Sequence, residues 1–319
     1  MRVSKRSPIL ILIATLAMAG VVLAAGPRPV ASSQSKLQIG SPASSQAQAL
    51  SDDELRARTQ KLLANQHSDD AALELYDRVE RHIDRTGGAS PRTIDDKTYR
   101  VVPTGMGNTK ILLHEEGKPT IPSAYTSQMQ ALVAVLQTMA NPDDPKAKAA
   151  YAKFQKRMHE RAQFVDAAKE AYIAKWVTRE SWNGRDCDVI SLDPDPKFQP
   201  QSMFEAAFAH TTAKLWVDHQ AIQIVHGEAH VTSDIPFGGG ILGKLYRGSV
   251  VSMDQAEVAP GVWLPTHYQY DFAGRKFLFS FDQHQIIDVT RYRRIGPPKE
   301  ALQIVQNELS SGKTFSEDP

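Results

Sequence analysis

Three residues of the segment His226-Gly-Glu-Ala-His230 have side chains that bind metal ions. In a β-strand, His226, Glu228 and His230 point to one face, with neighbours about 6.6 Å apart, because a strand rises about 3.3 Å per residue. The two histidines are then about 13 Å apart, which is too far to share one ion with bonds of about 2.1 Å. The segment therefore predicts a solvated strand face and no metal site.

The segment Phe237-Gly-Gly-Gly-Ile-Leu-Gly-Lys244 has the glycine spacing of a phosphate-binding loop. Leu245 follows the lysine, at the position where such a loop carries the hydroxyl that holds magnesium. The segment also runs into a strand-like sequence, whereas both phosphate-binding motifs need the N-terminus of a helix. We interpret it as a glycine-rich turn in a sheet, without a bound nucleotide.

Nucleophilic catalysis finds little support in the sequence. No Gly-x-Ser-x-Gly motif occurs, and the ten histidines form no recognisable pairing with an acid. The single cysteine, Cys187, lies in a strand-like run and shares a face with Val189 and Ser191, as a small core residue does. The sequence therefore predicts a protein that is not an enzyme, with no catalytic residue and no cofactor.

The start of the chain predicts export. A basic segment, Met1 to Arg6, precedes an apolar run from Ile9 to Ala25, and Val22-Leu-Ala24 offers a cleavage site, so residues 1–24 read as a signal peptide. An uncleaved membrane anchor is the alternative. Removing residues 1–24 from the 319 leaves 34 basic and 36 acidic residues, a net charge of −2. That charge does not favour nucleic-acid binding, and we expect a periplasmic protein.

The first half of the mature chain is predicted to be mainly helical. Residues 25–50 are poor in large apolar side chains and predict a flexible leader. Ser51-Asp-Asp-Glu54 is a capping box that begins a helix reaching about Gln66. The pattern over 73–85 fits a helix slightly better than a strand and leaves the two open. The predicted elements that follow are strands at 98–103 and 109–114 and a helical insertion at 121–172, whose second helix begins with Asp144 and Pro145.

From Tyr172 onwards the hydrophobic period is two, which is typical of strands. The predicted strands are 172–182, 185–193, 211–219, 221–232, 242–254, 262–272, 275–282 and 285–294. Short connections at Asn183-Gly184, Pro260-Gly261 and Ala273-Gly274 favour an antiparallel meander. A last helix over 299–310 and a tail at 311–319 complete a single α+β domain, 51–310.

Two aromatic rows lie within the predicted meander. Phe277, Phe279 and Phe281 share a face of one strand, and Leu264, Tyr268, Tyr270 and Phe272 share a face of its hairpin partner. Such rows are usually core. A curved sheet beneath amphipathic helices can also enclose a cavity for acyl chains.

Two hairpins of the chain resemble those of a known family. Lys214-Leu-Trp-Val-Asp218 followed by Ile222-Gln-Ile-Val225 is similar to the W-x-D hairpin of LolA-like periplasmic lipoprotein carriers. Gly261-Val-Trp-Leu-Pro-Thr266, with Tyr268-Gln-Tyr-Asp-Phe272 and Gly274, resembles the next hairpin of outer-membrane lipoprotein-sorting proteins. Gly117-Lys-Pro119 before a helix also fits this layout. The resemblance covers about 172–294 well and 73–172 loosely.

The resemblance implies an open, strongly curved antiparallel sheet, or half-barrel, packed on amphipathic helices. It implies a carrier or binding protein for lipid-modified proteins or other hydrophobic ligands, with no cofactor, possible envelope protein partners and only transient membrane contact. The alternative is an envelope interaction or sensor domain that carries no ligand. The candidate cavity residues are Trp216, Trp263, Tyr268, Tyr270, Phe272, Phe277, Phe279 and Phe281. The sequence leaves open which sheet face lines the cavity.

Overall fold

The structure is a computed structural model that describes residues 49–87 and 90–311. The predicted signal peptide at 1–24, the leader as far as residue 48 and the tail from residue 312 lie outside the described residues. Among the residues that are described, no helix combines the length and the apolar character needed to cross a bilayer.

The described helices and strands follow one another along most of the chain. The α-helices are α1 Asp52–Leu73, α2 Pro122–Ala140, α3 Pro145–Ala171 and α4 Pro298–Ser311, and a 3-10 helix covers Glu205–His210. The strands are β1 Tyr76–Thr86, β2 Arg92–Pro103, β3 Asn108–Glu115, β4 Lys118–Pro119, β5 Tyr172–Trp182, β6 Arg185–Pro194, β7 Thr211–Asp218, β8 Ile224–Val231, β9 Ile235–Phe237, β10 Gly243–Leu245, β11 Val250–Ala259, β12 Val262–Lys276 and β13 Phe279–Arg294.

All of these strands belong to one antiparallel sheet. Its order is β4-β3-β2-β1-β13-β12-β11-β8-β7-β6-β5, with β10 paired to β12 and β9 paired to β10. β4 and β5 lie at the two ends and do not pair with each other, so the sheet is open. Bulges interrupt the register along β1, β5, β7 and β11, and a bulge bends and twists its strand. The predicted α+β class with an open, curved antiparallel sheet is confirmed.

The helix starts follow from local signals in the sequence. Ser51 Oγ accepts a hydrogen bond from Glu54 N at 3.3 Å, and Glu54 Oε2 accepts one from Ser51 N at 2.9 Å. Asp144 Oδ1 accepts from the amide of Lys146 at 2.7 Å, with Pro145 at the first helical position. Both predicted starts are confirmed, whereas α1 continues seven residues beyond the predicted end near Gln66.

The segment that the sequence left open between helix and strand is β1. This strand lies between β2 and β13, and most of its residues from Tyr76 to Ile83 are buried on both faces. Its polar residues, among them Asp77 and Glu80, are buried as ion pairs. Because charged side chains occupy core positions on both faces, the period of two disappears from the hydrophobic pattern.

The end of the meander differs from the prediction. Instead of three strands with a turn at Ala273-Gly274, two long strands meet at a turn of Phe277 and Leu278. Gly274 lies inside β12, where β10 pairs with this strand, and a Cβ on Gly274 would come within 2.4 Å of Lys244 O. The predicted strand at 242–254 is likewise divided into β10 and β11.

One helix covers what we call the inner face of the sheet. Ile287 pairs with Tyr268 on one side and His82 on the other, and these three residues point to this face. Leu55 and Leu62 of α1 enter the main hydrophobic cluster here. α1 contacts both β12 and the edge strand β5, so it runs across the strands.

The outer face is covered by α2 and α4 at the other end of the sheet. Arg100 pairs with Val79, three positions from His82 along β1, and therefore points to the outer face. Ile111 pairs with Arg100 and packs with apolar side chains of α2 and α4. The two halves of the sheet are thus covered on opposite faces.

A buried ion cluster joins β1, β2, β13 and α4. Asp77 Oδ2 accepts hydrogen bonds from Arg100 Nη2 at 2.7 Å and from Arg293 Nη2 at 2.6 Å. Glu308 accepts from the same two arginines, at 2.8 and 2.7 Å. Asp77 and Arg100 have no exposed side-chain surface. The cluster holds the last helix to three adjacent strands through charge-assisted hydrogen bonds.

We expect Asp77→Ala to lower the free energy of unfolding by about 3–5 kcal/mol, because the buried Arg100 guanidinium loses one of its two carboxylates. Urea unfolding measures the change. Asp53→Ala is the matched control, since Asp53 pairs with Arg56 at the surface and its loss should cost under about 1 kcal/mol. Equal stabilities of the two variants would contradict the proposed importance of the cluster.

The contribution of Glu308 should depend on pH. Burial alone raises the pKa of Glu308, but Arg100 and Arg293 outweigh burial and hold that pKa below its ordinary value. The stabilisation is therefore present above the unfolded-state pKa and is lost as pH falls through the lowered folded-state pKa. We expect the stability difference between the native sequence and Glu308→Gln to be largest near pH 7 and to shrink below about pH 4. A constant difference across this range would show that charge is not involved.

Candidate functional site

An apolar floor lies on the inner face beneath α1. We use the name floor for these buried side chains of the strands: Ile190, Ala213, Leu215, Val217, Ile224, Ala229, Val231, Val251, Met253, Tyr268, Tyr270, Phe272, Ile287 and Val289. The rings of Tyr268 and Tyr270 are nearly parallel, with centroids 6.1 Å apart, and Phe272 follows at 5.8 Å. The floor therefore extends as one continuous surface from β6 to β13.

Four of the eight candidate cavity residues lie together at this floor. Tyr268, Tyr270 and Phe272 belong to it, and Phe281 packs against it while partly buried. Trp216 and Trp263 lie together in a second cluster with Cys187, Val189 and Val225. A register shift between β11 and β12 precedes Tyr268 and separates Trp263 from the row of aromatic rings that follows.

The remaining two candidates do not join either cluster. Phe277 is 50% exposed in the turn between β12 and β13, and Phe279 is 79% exposed at the start of β13. Both lie at one end of the hairpin, where the sheet has no covering helix.

α1 is attached to the sheet chiefly by polar contacts. Leu55 and Leu62 are its only buried apolar side chains within the described residues. Three hydrogen bonds hold its length, and we call them the latch: Arg58 Nη1 to His219 O at 2.9 Å, Asn65 Nδ2 to Ile222 O at 2.8 Å, and Trp263 N to Asp69 Oδ1 at 3.0 Å. A helix held in this way can detach without emptying a large apolar core.

Asp188 strengthens one end of the latch. Its carboxylate lies 3.4 Å from Arg58 Nη1 and accepts hydrogen bonds from Trp176 and Arg179, with His219 Nδ1 at 2.8 Å. Burial raises the pKa of Asp188, but these hydrogen bonds outweigh burial and keep that pKa below its ordinary value. Asp188 therefore stays charged beside Arg58 at neutral pH.

The C-terminal end of α1 carries acidic residues whose pKa values are shifted upwards, in contrast to that of Asp188. Burial raises the pKa of Asp69, of Asp70 and of Glu74 above the ordinary values of these groups. Asp70 is also paired with Arg161 of α3, so α3 supports this end of α1 from outside the sheet. Buried carboxylates with raised pKa values are costly to keep charged, which weakens the attachment of this end.

A small pocket separates the second half of α1 from β11 and β12. Its lining is Gln66, Asp69, Asp70, Leu73, Arg161, Met253, Gln255, Trp263, Leu264, Pro265 and Tyr268. It has room for about one water molecule. In this conformation α1 therefore leaves little room between its second half and these two strands.

Buried polar atoms at the pocket and on the floor have no hydrogen-bond partner among the described residues. They include Gln66 Oε1, Asp69 Oδ2 and Gln255 Oε1 of the pocket lining and the hydroxyl of Tyr270 on the floor. Burial raises the pKa of Tyr270 well above its ordinary value, so the hydroxyl keeps its proton and remains a donor. Each buried unpaired group costs about 1–3 kcal/mol, which a polar group of a ligand would recover.

A charged wall borders the floor on β1 and β3. Glu80 accepts hydrogen bonds from Arg78 Nε at 2.9 Å and Lys110 Nζ at 2.8 Å, and His82 Nε2 lies 2.7 Å away. Burial raises the pKa of Glu80, but the two cations and the hydrogen bond from His82 hold it well below its ordinary value. The floor is therefore bordered on this side by a buried network of charged side chains.

The residues first considered for chemistry have structural roles. Cys187 is fully buried, and burial raises its pKa to about 11, so its thiol stays protonated at neutral pH. His226, Glu228 and His230 share one strand face as predicted, but His226 is buried under the stacked ring of Trp182 and bonded to Asp254 instead of being solvated. No group of three or more metal-binding side chains within residues 49–87 and 90–311 could hold an ion.

The sequence missed the polar parts of this site. Arg58, Asn65 and Asp69 lie at intervals of seven and four along α1, a helical stripe of polar residues beside the predicted apolar one. Arg78, Glu80 and His82 alternate along β1, and charges of both signs on one strand face are a signal of a buried ion network. Neither signal names a partner, since the partners lie far away in the sequence.

Comparison of the sequence with protein-family models and with curated proteins finds no match. Solved structures do match. An outer-membrane lipoprotein-sorting protein domain from Vibrio parahaemolyticus matches at a TM-score of 0.32 and 10% identity, over 77% of this chain and 99% of that one. A LolA superfamily protein from Nitrosomonas europaea matches at 0.32 and 11%, over 76% and 96%. A DUF1329 family protein from Desulfovibrio piger matches at 0.26 and 12%, over 74% and 92%.

The matched solved structures include lipoprotein-sorting domains. They are the same group that the two hairpin motifs resemble, and the likeness concerns the fold.

Two tyrosines of the inner face should respond to substitution in opposite ways. We expect Tyr270→Phe to raise the free energy of unfolding by about 1 kcal/mol, because it removes a buried hydroxyl without a partner. Tyr292→Phe is the matched control, since its hydroxyl donates to Pro265 O at 2.6 Å, and its loss should cost about 1 kcal/mol. Urea unfolding measures both, and a destabilised Tyr270→Phe would mean that its hydroxyl is paired in solution.

Proposed function

We propose that the protein is a periplasmic carrier or binding protein for lipid-modified proteins or other hydrophobic ligands. The apolar part of the ligand lies on the floor, in the space that α1 occupies in this conformation. The proposal rests on one observation: α1, a mostly polar helix, packs on a floor that is continuous, apolar and aromatic.

The contacts of α1 with the sheet and the burial of an acyl chain on the floor contribute comparable free energies. Leu55 and Leu62 each contribute about 2 kcal/mol by burial, and each hydrogen bond of the latch contributes about 1 kcal/mol. An acyl chain gains about 0.8 kcal/mol for each buried methylene, so about ten methylenes supply about 8 kcal/mol. A ligand of this length can therefore replace α1 over the floor, and a much shorter one cannot.

The polar atoms beneath α1 favour an acyl ligand over a plain hydrocarbon. The Tyr270 hydroxyl can donate to the carbonyl oxygen of an ester or amide, and Gln66 and Gln255 offer amide groups at the pocket. We propose Tyr268, Tyr270, Phe272 and Phe281 as the residues that contact the acyl chain. Trp216 and Trp263 then support the sheet from the other cluster, and Phe277 and Phe279 remain available for another role.

Carriage of this kind needs binding and release only. The proposed protein is not an enzyme, uses no cofactor and binds no nucleic acid. It is exported by its signal peptide, receives an acylated ligand from one envelope partner and delivers it to another. Its contact with the membrane is transient.

An interaction or sensor domain without a ligand is the second candidate function. The tightly filled space beneath α1 favours it, since the pocket has room for about one water molecule. The edge strand β5 also exposes Ile173 and Val177, which a partner strand could cover.

Weakening the latch should make the floor easier to reach. We expect Arg58→Ala to raise the apparent affinity for an environment-sensitive apolar dye about tenfold, because the loss of about 1.4 kcal/mol from the closed state increases the open fraction tenfold. Fluorescence titration of the detergent-free protein measures binding. Arg56→Ala is the matched control on the same helix, since Arg56 is exposed and pairs with Asp53 at the surface.

Organic extraction of the exported protein, followed by mass spectrometry, identifies a natural ligand. A stoichiometric acyl-containing species supports the carrier. An empty extract together with dye binding that does not saturate would contradict the carrier and favour the interaction domain. Equal dye affinities of the two arginine variants would show that α1 is not the cover.

A further inference from the structure

Five large apolar side chains are exposed together at one end of the sheet. They belong to the β9–β10 turn and the β12–β13 turn, and we call them the apolar tip: Ile241, Leu242, Phe277, Leu278 and Phe279, with 77%, 40%, 50%, 87% and 79% of their surfaces exposed. The other exposed large apolar side chains in the described residues are distributed over β2, the residue before α2, α3, β5 and a loop. Scattered apolar residues are normal on a protein surface, whereas a cluster marks an interaction site.

Backbone contacts hold the two turns of the tip together. Phe277 N donates to Leu242 O at 3.1 Å, and Arg275 Nη2 donates to Gly240 O at 3.0 Å. β10 approaches β12 closely because Gly243 has no side chain: a Cβ there would come within 2.5 Å of Arg275 O. The apolar side chains therefore lie on two turns that are joined to each other by hydrogen bonds.

The turn itself has an unusual composition. Phe277 has a φ of +51°, a left-handed conformation that hairpin turns usually give to glycine or asparagine. A bulky side chain costs strain in this region. The chain therefore places an exposed aromatic ring at the very position where folding alone would favour a small residue.

The charged residues within the two turns are basic, and one of them is paired: Lys244 Nζ lies 3.6 Å from Asp234 Oδ2. Residues 238–244 and 274–281 contain Lys244, Arg275 and Lys276 and no acidic residue. The apolar side chains project beyond these cations, since Arg275 and Lys276 precede the turn on β12. The apolar side chains at the end of the hairpin match the acyl-chain boundary of a bilayer, and the cations behind them match its layer of anionic headgroups.

We propose that the apolar tip inserts into a lipid bilayer that contains anionic lipid. Phe277, Leu278 and Phe279 enter the boundary between headgroups and acyl chains, with Ile241 and Leu242 beside them. Arg275 and Lys276 contact the lipid phosphates. The proposal goes beyond ligand carriage and does not depend on it, because insertion of the tip needs neither an open floor nor movement of α1.

Vesicle flotation of the full exported protein tests the tip. We expect the protein to float with vesicles of phosphatidylethanolamine and phosphatidylglycerol, and to bind vesicles of phosphatidylcholine alone at least about tenfold more weakly. The variant Leu278→Asn with Phe279→Asn should lose at least about tenfold in binding to the anionic vesicles. Ile121→Asn is the matched control, since Ile121 is 66% exposed away from the tip and should bind as the native chain does.

A site-specific probe tests insertion itself. Cys187 is fully buried, so a thiol-reactive environment-sensitive dye should label Leu278→Cys and leave the native cysteine unlabelled. We expect a blue shift of its emission with anionic vesicles and none for a dye on Ile121→Cys. The exposed positions should leave the urea midpoint of each variant unchanged.

Any of three results would overturn the proposal. The first is that the native chain fails to float with anionic vesicles, and the second is that the tip variant binds these vesicles as well as the control variant does. The third is that the tip variant loses a concentration-dependent dimer in solution while no variant binds vesicles. The last result assigns the tip to a contact between two copies of the chain. Dye binding in solution is independent of all three, so a failure of the tip and a failure of the carrier are distinguishable.

Discussion

The apolar inner face of an open sheet must be kept from water, and the other features of the molecule follow from how this is done. Closing the sheet into a barrel would enclose the face, but β4 and β5 end the sheet without pairing. A separate element must therefore lie over the floor. α1 takes this place with two buried leucines and a row of polar contacts.

The two faces of the sheet differ in how firmly their helices are attached. On the outer face, α4 is joined to three strands by the buried ion cluster around Asp77 and packs with α2 through apolar side chains. On the inner face, α1 is held by two buried leucines, by the ion pairs of Arg58 with Asp188 and of Asp70 with Arg161, and by hydrogen bonds to backbone atoms of strand ends and loops. Local openings of a protein begin where few apolar contacts are lost. The proposed carrier function therefore requires the movement of α1 alone, while the sheet and its outer helices stay folded.

The sequence predicted the elements whose signals are local. Ser51 with Glu54, and Asp144 with Pro145, set helix starts within four residues, and the period of two revealed most strands after Tyr172. The period failed in β1, where the charged side chains are buried against distant partners.

The candidate site was predictable only in part, for a related reason. Tyr268, Tyr270 and Phe272 could be assigned to one face, because alternation along a strand is local. The turn at Phe277 could not be placed, because Gly274 lies in a long strand where it allows the close approach of β10, which is distant in sequence. The polar contacts of α1 join residues more than 150 positions apart, and no local pattern encodes such a pairing.

The β12–β13 hairpin has a geometric consequence. Tyr270 lies on the floor, and the turn at Leu278 is eight residues further along the same strand pair, a distance of about 26 Å at about 3.3 Å per residue. The register between the two strands is unbroken over this length. The hairpin is therefore a spacer of fixed length between its turn and the floor. A surface that binds the turn also fixes the distance of the floor from that surface.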